Sequence, residues 1–218
     1  ESANSRIAIQ RSAQSLARKK PHSDNGVVVV GLGRFGSAVA QSLVRLGHDV
    51  LAIDENAELV QTWANQLTHV VEADGSNADV LRHLGVQDYT RAVVGVGTDL
   101  EASVLTVLAL SELGVPDIWA KATNPRHGRI LERTGANHVI YPEAAMGERV
   151  AHLVTGKMMD FIEFDDGFAI AKTRAPIETI GKSLEESEVR SKYGITVVGV
   201  KRPRTDFTYA TPETVIER

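Results

Sequence analysis

The sequence predicts a doubly wound α/β fold with a parallel, Rossmann-like sheet, followed by a small α+β domain. Three observations carry this. From Val27 to Ile140, short β-branched runs alternate with amphipathic helical runs, the pattern of strand–helix–strand units. The first strand, "VVVV", is continuously apolar, as a strand covered on both faces should be. Beyond Met158 the alternation gives way to short strand-like runs with little helix between them.

Strands are expected at Val27–Val30, Asp49–Ile53, His69–Glu72, Ala92–Val96, Ile118–Ala120 and His138–Ile140. Helices are expected at Gly36–Leu46, Ala57–Gln66, Ala78–Leu84, Leu100–Leu113 and Arg126–Arg133. Gly47, Gly85, Gly114 and Gly135 follow helices where a left-handed C-terminal residue is wanted, and right-handed crossovers are expected between strands. A further helix, Glu143 to Met158, carries an apolar stripe of Met146, Val150, Leu153, Val154 and Met158. After it come "DFIEF", "FAIAKTRA" and "GITVVGVKR", with one helical piece, "SLEESEVR". The organisation is then a basic extension at 1–24, a nucleotide-binding domain at 25–142, a crossover helix at 143–159 and a second domain at 160–218. The residues stop at "TPETVIER", before any strand that would complete the second sheet.

Composition narrows the function classes. A net charge of −4 and 5% aromatic residues argue against nucleic-acid binding as the main activity. The absence of cysteine leaves no disulfide framework and no thiolate nucleophile, which fits a reducing cytosol. No apolar run approaches the ~20 residues of a membrane span, and residues 1–24 lack the apolar core of a signal peptide. That extension holds Arg6, Arg11, Arg18, Lys19 and Lys20 against Glu1 and Asp24, a net +3. It reads as a disordered tail or as a docking segment for a partner or an anionic lipid surface.

Gly31, Gly33 and Gly36 form G-x-G-x-x-G between the first strand and the first helix. There the first glycine allows the tight turn, the second lets backbone approach phosphates, and the third lets helix pack on strand. The N–H groups and positive dipole at the helix start receive the phosphate charge. Asp54, ending the second strand, stands where a carboxylate accepts from ribose hydroxyls, and it would repel a 2′-phosphate. Arg34, beside Phe35 in the loop, suits a triphosphate or a neighbouring subunit's nucleotide; the alternative is a solvated arginine at a helix start. Asp74 and Gly75 in "ADGSNADVL" fall where an adenine would lie, and "VGVGTDLEAS" returns a loop to the same edge, with Thr98 or Asp99 as a helix cap.

Catalytic equipment is not evident. No G-x-S-x-G, HExxH or zinc spacing occurs, and the seven histidines are scattered, His127 in the turn "NPRHGR". An NAD-dependent oxidoreductase would need a proton donor and a substrate pocket, and a redox-sensing transcription factor would need a helix-turn-helix module. A nucleotide site without a chemical site reads as a switch.

"VVVVGLGRFGSAVAQSLVRLGHDVLAID", "PDIWAKATNPRHGRILERTGANHVIYPEAAMGERVA" and "VRSKYGITVVGVKR" resemble the RCK (KTN) regulators of potassium transport, of KtrA type with TrkA-type relatives. The resemblance implies a cytoplasmic subunit at the inner face of the membrane, forming homodimers that build an octameric ring under a potassium-translocating membrane subunit of KtrB or TrkH type. It implies ATP or ADP as ligand in KtrA relatives and NAD(H) in TrkA relatives. By motif, Gly31, Gly33, Arg34 and Gly36 would hold phosphates, with Arg34 sensing the γ-phosphate. Asp54 and Asn56 would hold ribose, Asp74 would lie by the adenine, and Lys121 would reach phosphates. Glu143 in "YPE" matches the family carboxylate that helps hold Mg2+ or another cation; its alternative is an acid favoured by the helix dipole. The second domain resembles RCK-C, where Leu184, Val189, Arg190 and Pro212 match positions that bind cyclic di-AMP in some relatives.

Overall fold

Gly26–Val30 forms β1, and Val27 to Val30 are each at most 3% exposed. The computed structural model describes residues 25–155, 160–164, 168–201 and 204–217. The expected basic extension at 1–24, and Met158 with the end of the crossover helix, lie outside the described residues. Around β1 stand β2 (Asp49–Asp54), β3 (His69–Glu72), β4 (Arg91–Val94), β5 (Asp117–Lys121) and β6 (His138–Ile140). The sheet order is β3-β2-β1-β4-β5-β6 with every neighbouring pair parallel, so the six expected strands and the doubly wound sheet are present.

Alternation along β1 divides the core in two. Val27 and Val29 face α1 (Arg34–Arg45) and α2 (Ala57–Trp63), together with Ala40, Leu43 and Trp63. Val28 and Val30 face the opposite layer, formed by α3 (Ala78–His83), α4 (Leu100–Glu112) and α5 (Pro125–Thr134), through Leu81, Leu110 and Leu131. The chain winds outward from β1 to β3, then returns across the sheet to β4. The loops after β1 and β4 therefore diverge and open a crevice at the strand ends, where such sheets bind ligands.

Side chains cap four of these helices: Asn56, Asn77, Asp99 and Asn124 accept from first-turn N–H groups of α2, α3, α4 and α5. Asp99, one of the two expected caps, is the one used. The glycines expected after helices, Gly47, Gly85, Gly114 and Gly135, all take positive φ. His127, on α5, is 1% exposed and packs in the core. Its Nδ1 faces the Thr123 N–H and hydroxyl at 3.4 Å each, and its Nε2 has no hydrogen-bond partner.

A helix follows at the expected place, α6 (Pro142–Val154). The chain divides into two compact units, one ending at Met146 and the other beginning at Gly147, within α6. In the second unit β7 (Asp160–Phe164) and β8 (Phe168–Lys172) pair as an antiparallel hairpin. "SLEESEVR" is two helices, α7 (Leu184–Ser187) and α8 (Val189–Tyr193), separated by Glu188 at φ +50. A capping box between Ser183 and Glu186 starts the first of them. Among the described residues of "GITVVGVKR", Gly199–Val200 forms β9, antiparallel to the two-residue β10 (Thr208–Tyr209). The terminal stretch is pinned by Gly181 N–H to the Ile216 carbonyl (2.8 Å) and by a bridge from Val215 to Ser183.

Two outcomes test this core. Gly36 is buried, and a Cβ there would fall 1.8 Å from the Gly31 carbonyl oxygen, an overlap with backbone. Gly36→Ala is therefore expected to cost about 3 kcal/mol or more in urea unfolding. Burial lowers the His127 pKa from 6.5. The unfolded chain then takes up a proton that the folded chain refuses, so stability falls as pH drops below about 6.5. His127→Leu should flatten that acid limb of the unfolding free energy, whatever its offset at neutral pH.

Candidate nucleotide-binding site

The crevice is built on three glycines. Gly31 turns the chain at φ +92, and its N–H donates to the Ile53 carbonyl at 2.8 Å. A Cβ on Gly95, at the end of β4, would meet the Gly31 carbonyl at 3.0 Å and Gly36 Cα at 3.1 Å. Strand end, helix start and neighbouring strand thus meet backbone to backbone. Gly33 differs: its φ of −62 suits any residue, and a Cβ there would meet no atom within 4 Å. The fold itself makes no demand for glycine at 33, and the room it leaves is what a phosphate group would fill.

Directly behind Gly33, α1 begins with no side-chain cap, unlike α2 to α5. Its first N–H groups, with no intrahelical acceptor, point out of the helix start and bring the positive end of the dipole. A nucleotide phosphate satisfies both features. On one flank Asp54 ends β2, and its carboxylate accepts from Leu32 N–H (2.5 Å) and Asn56 N–H (2.8 Å). A carboxylate has about four acceptor sites, so Asp54 can hold the glycine loop and accept from ribose hydroxyls together. The Asn56 side-chain oxygen caps α2, accepting from Glu58 and Leu59, which leaves its amide donors for a ligand. Asp74 closes a turn onto Ser76, and Gly75 lies against β1, where a Cβ would come 2.3 Å from Val30 Cγ1. Packing therefore accounts for Gly75.

On the other flank Lys121 ends β5 and Glu143 opens α6. The Lys121 Nζ donates to Glu143 Oε1 at 2.6 Å and stands 5.9 Å from the centre of the Phe35 ring. Arg34 is exposed on the first turn of α1. The hydrogen bond from Lys121, then the backbone N–H of Glu143 itself, and the charges of Lys121 and Arg34 hold the Glu143 carboxyl below its usual range. Beside Glu143 lies a cleft of about 520 Å3, lined by Ala122–Pro125, Tyr141, Glu143 and Ala144. It does not include the glycine loop. Among the described residues no group of three or more His, Cys, Asp or Glu is placed to hold a metal ion. A cation at Glu143 would complete its shell from phosphate or water.

The sequence-expected residues Gly31, Gly33, Arg34, Phe35, Gly36, Asp54, Lys121 and Glu143 thus gather at one sheet edge, with Asn56, Asp74 and Gly75 along its β2–β3 side. Gly95 was not singled out, although "VGVG" shows two glycines returning to that edge. In the second unit, Glu185 N–H donates to the Pro212 carbonyl and Leu184 N–H to the Thr214 carbonyl, which sets Leu184 beside the 212–214 segment. Val189 is buried and Arg190 exposed.

Comparison with known proteins bears on this geometry. The TrkA-N domain family model matches residues 27–142. The chain is 36% identical over 189 residues to Ktr system potassium uptake protein A of Bacillus subtilis (strain 168), covering 86% of this chain and 85% of that protein. It is 33% identical over 180 residues to Ktr system potassium uptake protein A of Vibrio alginolyticus, covering 82% of each. Among solved structures, the GsuK RCK domain shares the fold at a TM-score of 0.64 and 21% identity, over 91% of this chain and 44% of that one. No helix among the described residues is long and apolar enough to cross a membrane. The chain belongs to the TrkA-N family of RCK domains, and its sequence is of the KtrA type.

Proposed function

We propose that this chain is a nucleotide-sensing regulatory subunit of a potassium uptake system, gating a potassium-translocating membrane subunit of KtrB or TrkH type from the cytoplasmic side. The observation that carries the reading is the uncapped start of α1 behind the open Gly33, set at the point where the sheet reverses direction. The names of its Ktr relatives support a regulator of potassium uptake rather than an enzyme.

ATP and ADP are the ligands this reading assigns, with Mg2+ or another cation at the phosphates. Gly31, Gly33 and Gly36 with the α1 N–H groups take the phosphates, Asp54 and Asn56 the ribose, and Asp74 and Gly75 the edge beside the adenine. Arg34 and Lys121 supply positive charge beyond the β-phosphate, and Glu143 faces the cation. A ligand shifts a conformational equilibrium only through different affinities for its two states, so the γ-phosphate must be held by groups that ADP leaves idle. Homodimers assembled into an octameric ring would transmit the change. The second unit is assigned as RCK-C, with Leu184, Val189, Arg190 and Pro212 as its cyclic di-AMP positions.

A second reading, an NAD(H)-binding TrkA-like regulator, is favoured by one observation. The cleft at Ala122–Pro125, Tyr141, Glu143 and Ala144 lies past β5, where the second nucleoside of a dinucleotide extends. Calorimetric titration with ATP, ADP, NAD+ and NADH, with and without Mg2+, separates the two. Tight, cation-dependent ATP binding with a distinct ADP affinity supports the switch; preference for NADH moves the chain to the second reading.

Two variants sharpen this. Gly33→Val should leave unfolding within about 0.5 kcal/mol of the parent while weakening ADP more than about tenfold. Arg34→Ala should weaken ATP more than ADP in the same titration, and equal losses would remove Arg34 from the γ-phosphate.

A further inference from the structure

Lys121 and Glu143 are paired with one another, although the nucleotide-binding reading gives them to different ligands. Their atoms are 2.6 Å apart, and the two residues stand 22 positions apart in sequence. Lys121 is the fixed member. Its side chain is 14% exposed, its ammonium lies by the Phe35 ring, and a Cβ on Gly97 would come within 3.2 Å of its Cε. Glu143, 65% exposed at the start of α6, is the member open to solvent.

An ammonium has three donors but a single charge. With Glu143 against it, an approaching polyphosphate meets a pair with no net charge instead of a free ammonium. A cation approaching Glu143 meets a carboxylate already neutralised. Either ligand alone must break or share the pair, whereas both together exchange it: phosphate takes the ammonium as the cation takes the carboxylate.

We propose that the Lys121–Glu143 pair is an exchangeable latch by which the site selects a cation-loaded polyphosphate over a bare one. This rests on the nucleotide-binding reading above. Glu143 is then more than a cation ligand: it holds back Lys121 until the cation arrives.

The test is a double-mutant cycle on the full chain, with ATP titrated in chelator and again with excess Mg2+. Glu143→Gln should tighten bare ATP about two- to fivefold, the range an exposed pair supports, and narrow the preference for the Mg2+ complex. In a Lys121→Gln background the same change should leave bare ATP nearly unaltered, because no latch remains to release. Equal tightening in both backgrounds would reduce Glu143 to a source of general repulsion and overturn the proposal, as would no tightening in either. Absence of nucleotide binding by the parent, with and without Mg2+, would instead refute the nucleotide reading and the latch with it.

Discussion

The site depends on one close approach, the contact of Gly31, Gly36 and Gly95. Because no side chain intervenes, the first turn of α1 lies on the ends of β1 and β4, at the point where the sheet reverses its winding. A Cβ at Gly36 would strike the Gly31 carbonyl, so the helix would have to lift away and carry its N–H groups with it. The helix start and the loop that carries Leu32 take their position from that contact. Asp54 reaches Leu32 N–H because the loop is pulled down onto β2, and Phe35 stands beside Lys121 because the same turn directs it there.

The charge layout then follows a consistent logic. Four helices of the nucleotide-binding unit use Asn or Asp to satisfy their first turns, and α1 leaves its own unsatisfied. An uncapped helix start costs stability by itself, and here it faces the crevice rather than packed side chains. The flanks have opposite character. On the β2 side Asp54 offers acceptor capacity suited to hydroxyls, while on the β5–β6 side Arg34, Lys121 and Glu143 form a mixed group whose partners can be exchanged. In the proposed function a polyphosphate across α1 would reach both flanks, as a ligand whose phosphate-chain length is read must.

The two units differ in how strongly their sequences specify them. The parallel sheet buries β1 on both faces, and a continuous apolar run such as "VVVV" marks it as a central strand. Among the described residues of the second unit the ladders are two-stranded, and Thr208–Tyr209 pairs with Gly199–Val200, past the apolar run "GITVV". Strand tendency there exceeds the partner edge available to it. The break at Glu188 has a similar origin, since "SLEESEVR" is helical throughout by composition, yet the chain must turn for Val189 to enter the core.

The sequence by itself determined the strand–helix alternation, the phosphate loop, the acid at the end of the second strand and the family, because these depend on local periodicity and on spacings within one strand–turn–helix unit. Only the tertiary structure decided which glycines serve packing and which leave room for a ligand: a Cβ at Gly36 or Gly75 would meet backbone or Val30, whereas one at Gly33 would meet nothing within 4 Å. It also decided the burial of His127 and the pairing of Lys121 with Glu143. Those facts depend on which strands lie side by side, and residues on β5 and α6 meet only after the order β4-β5-β6 has brought their ends together.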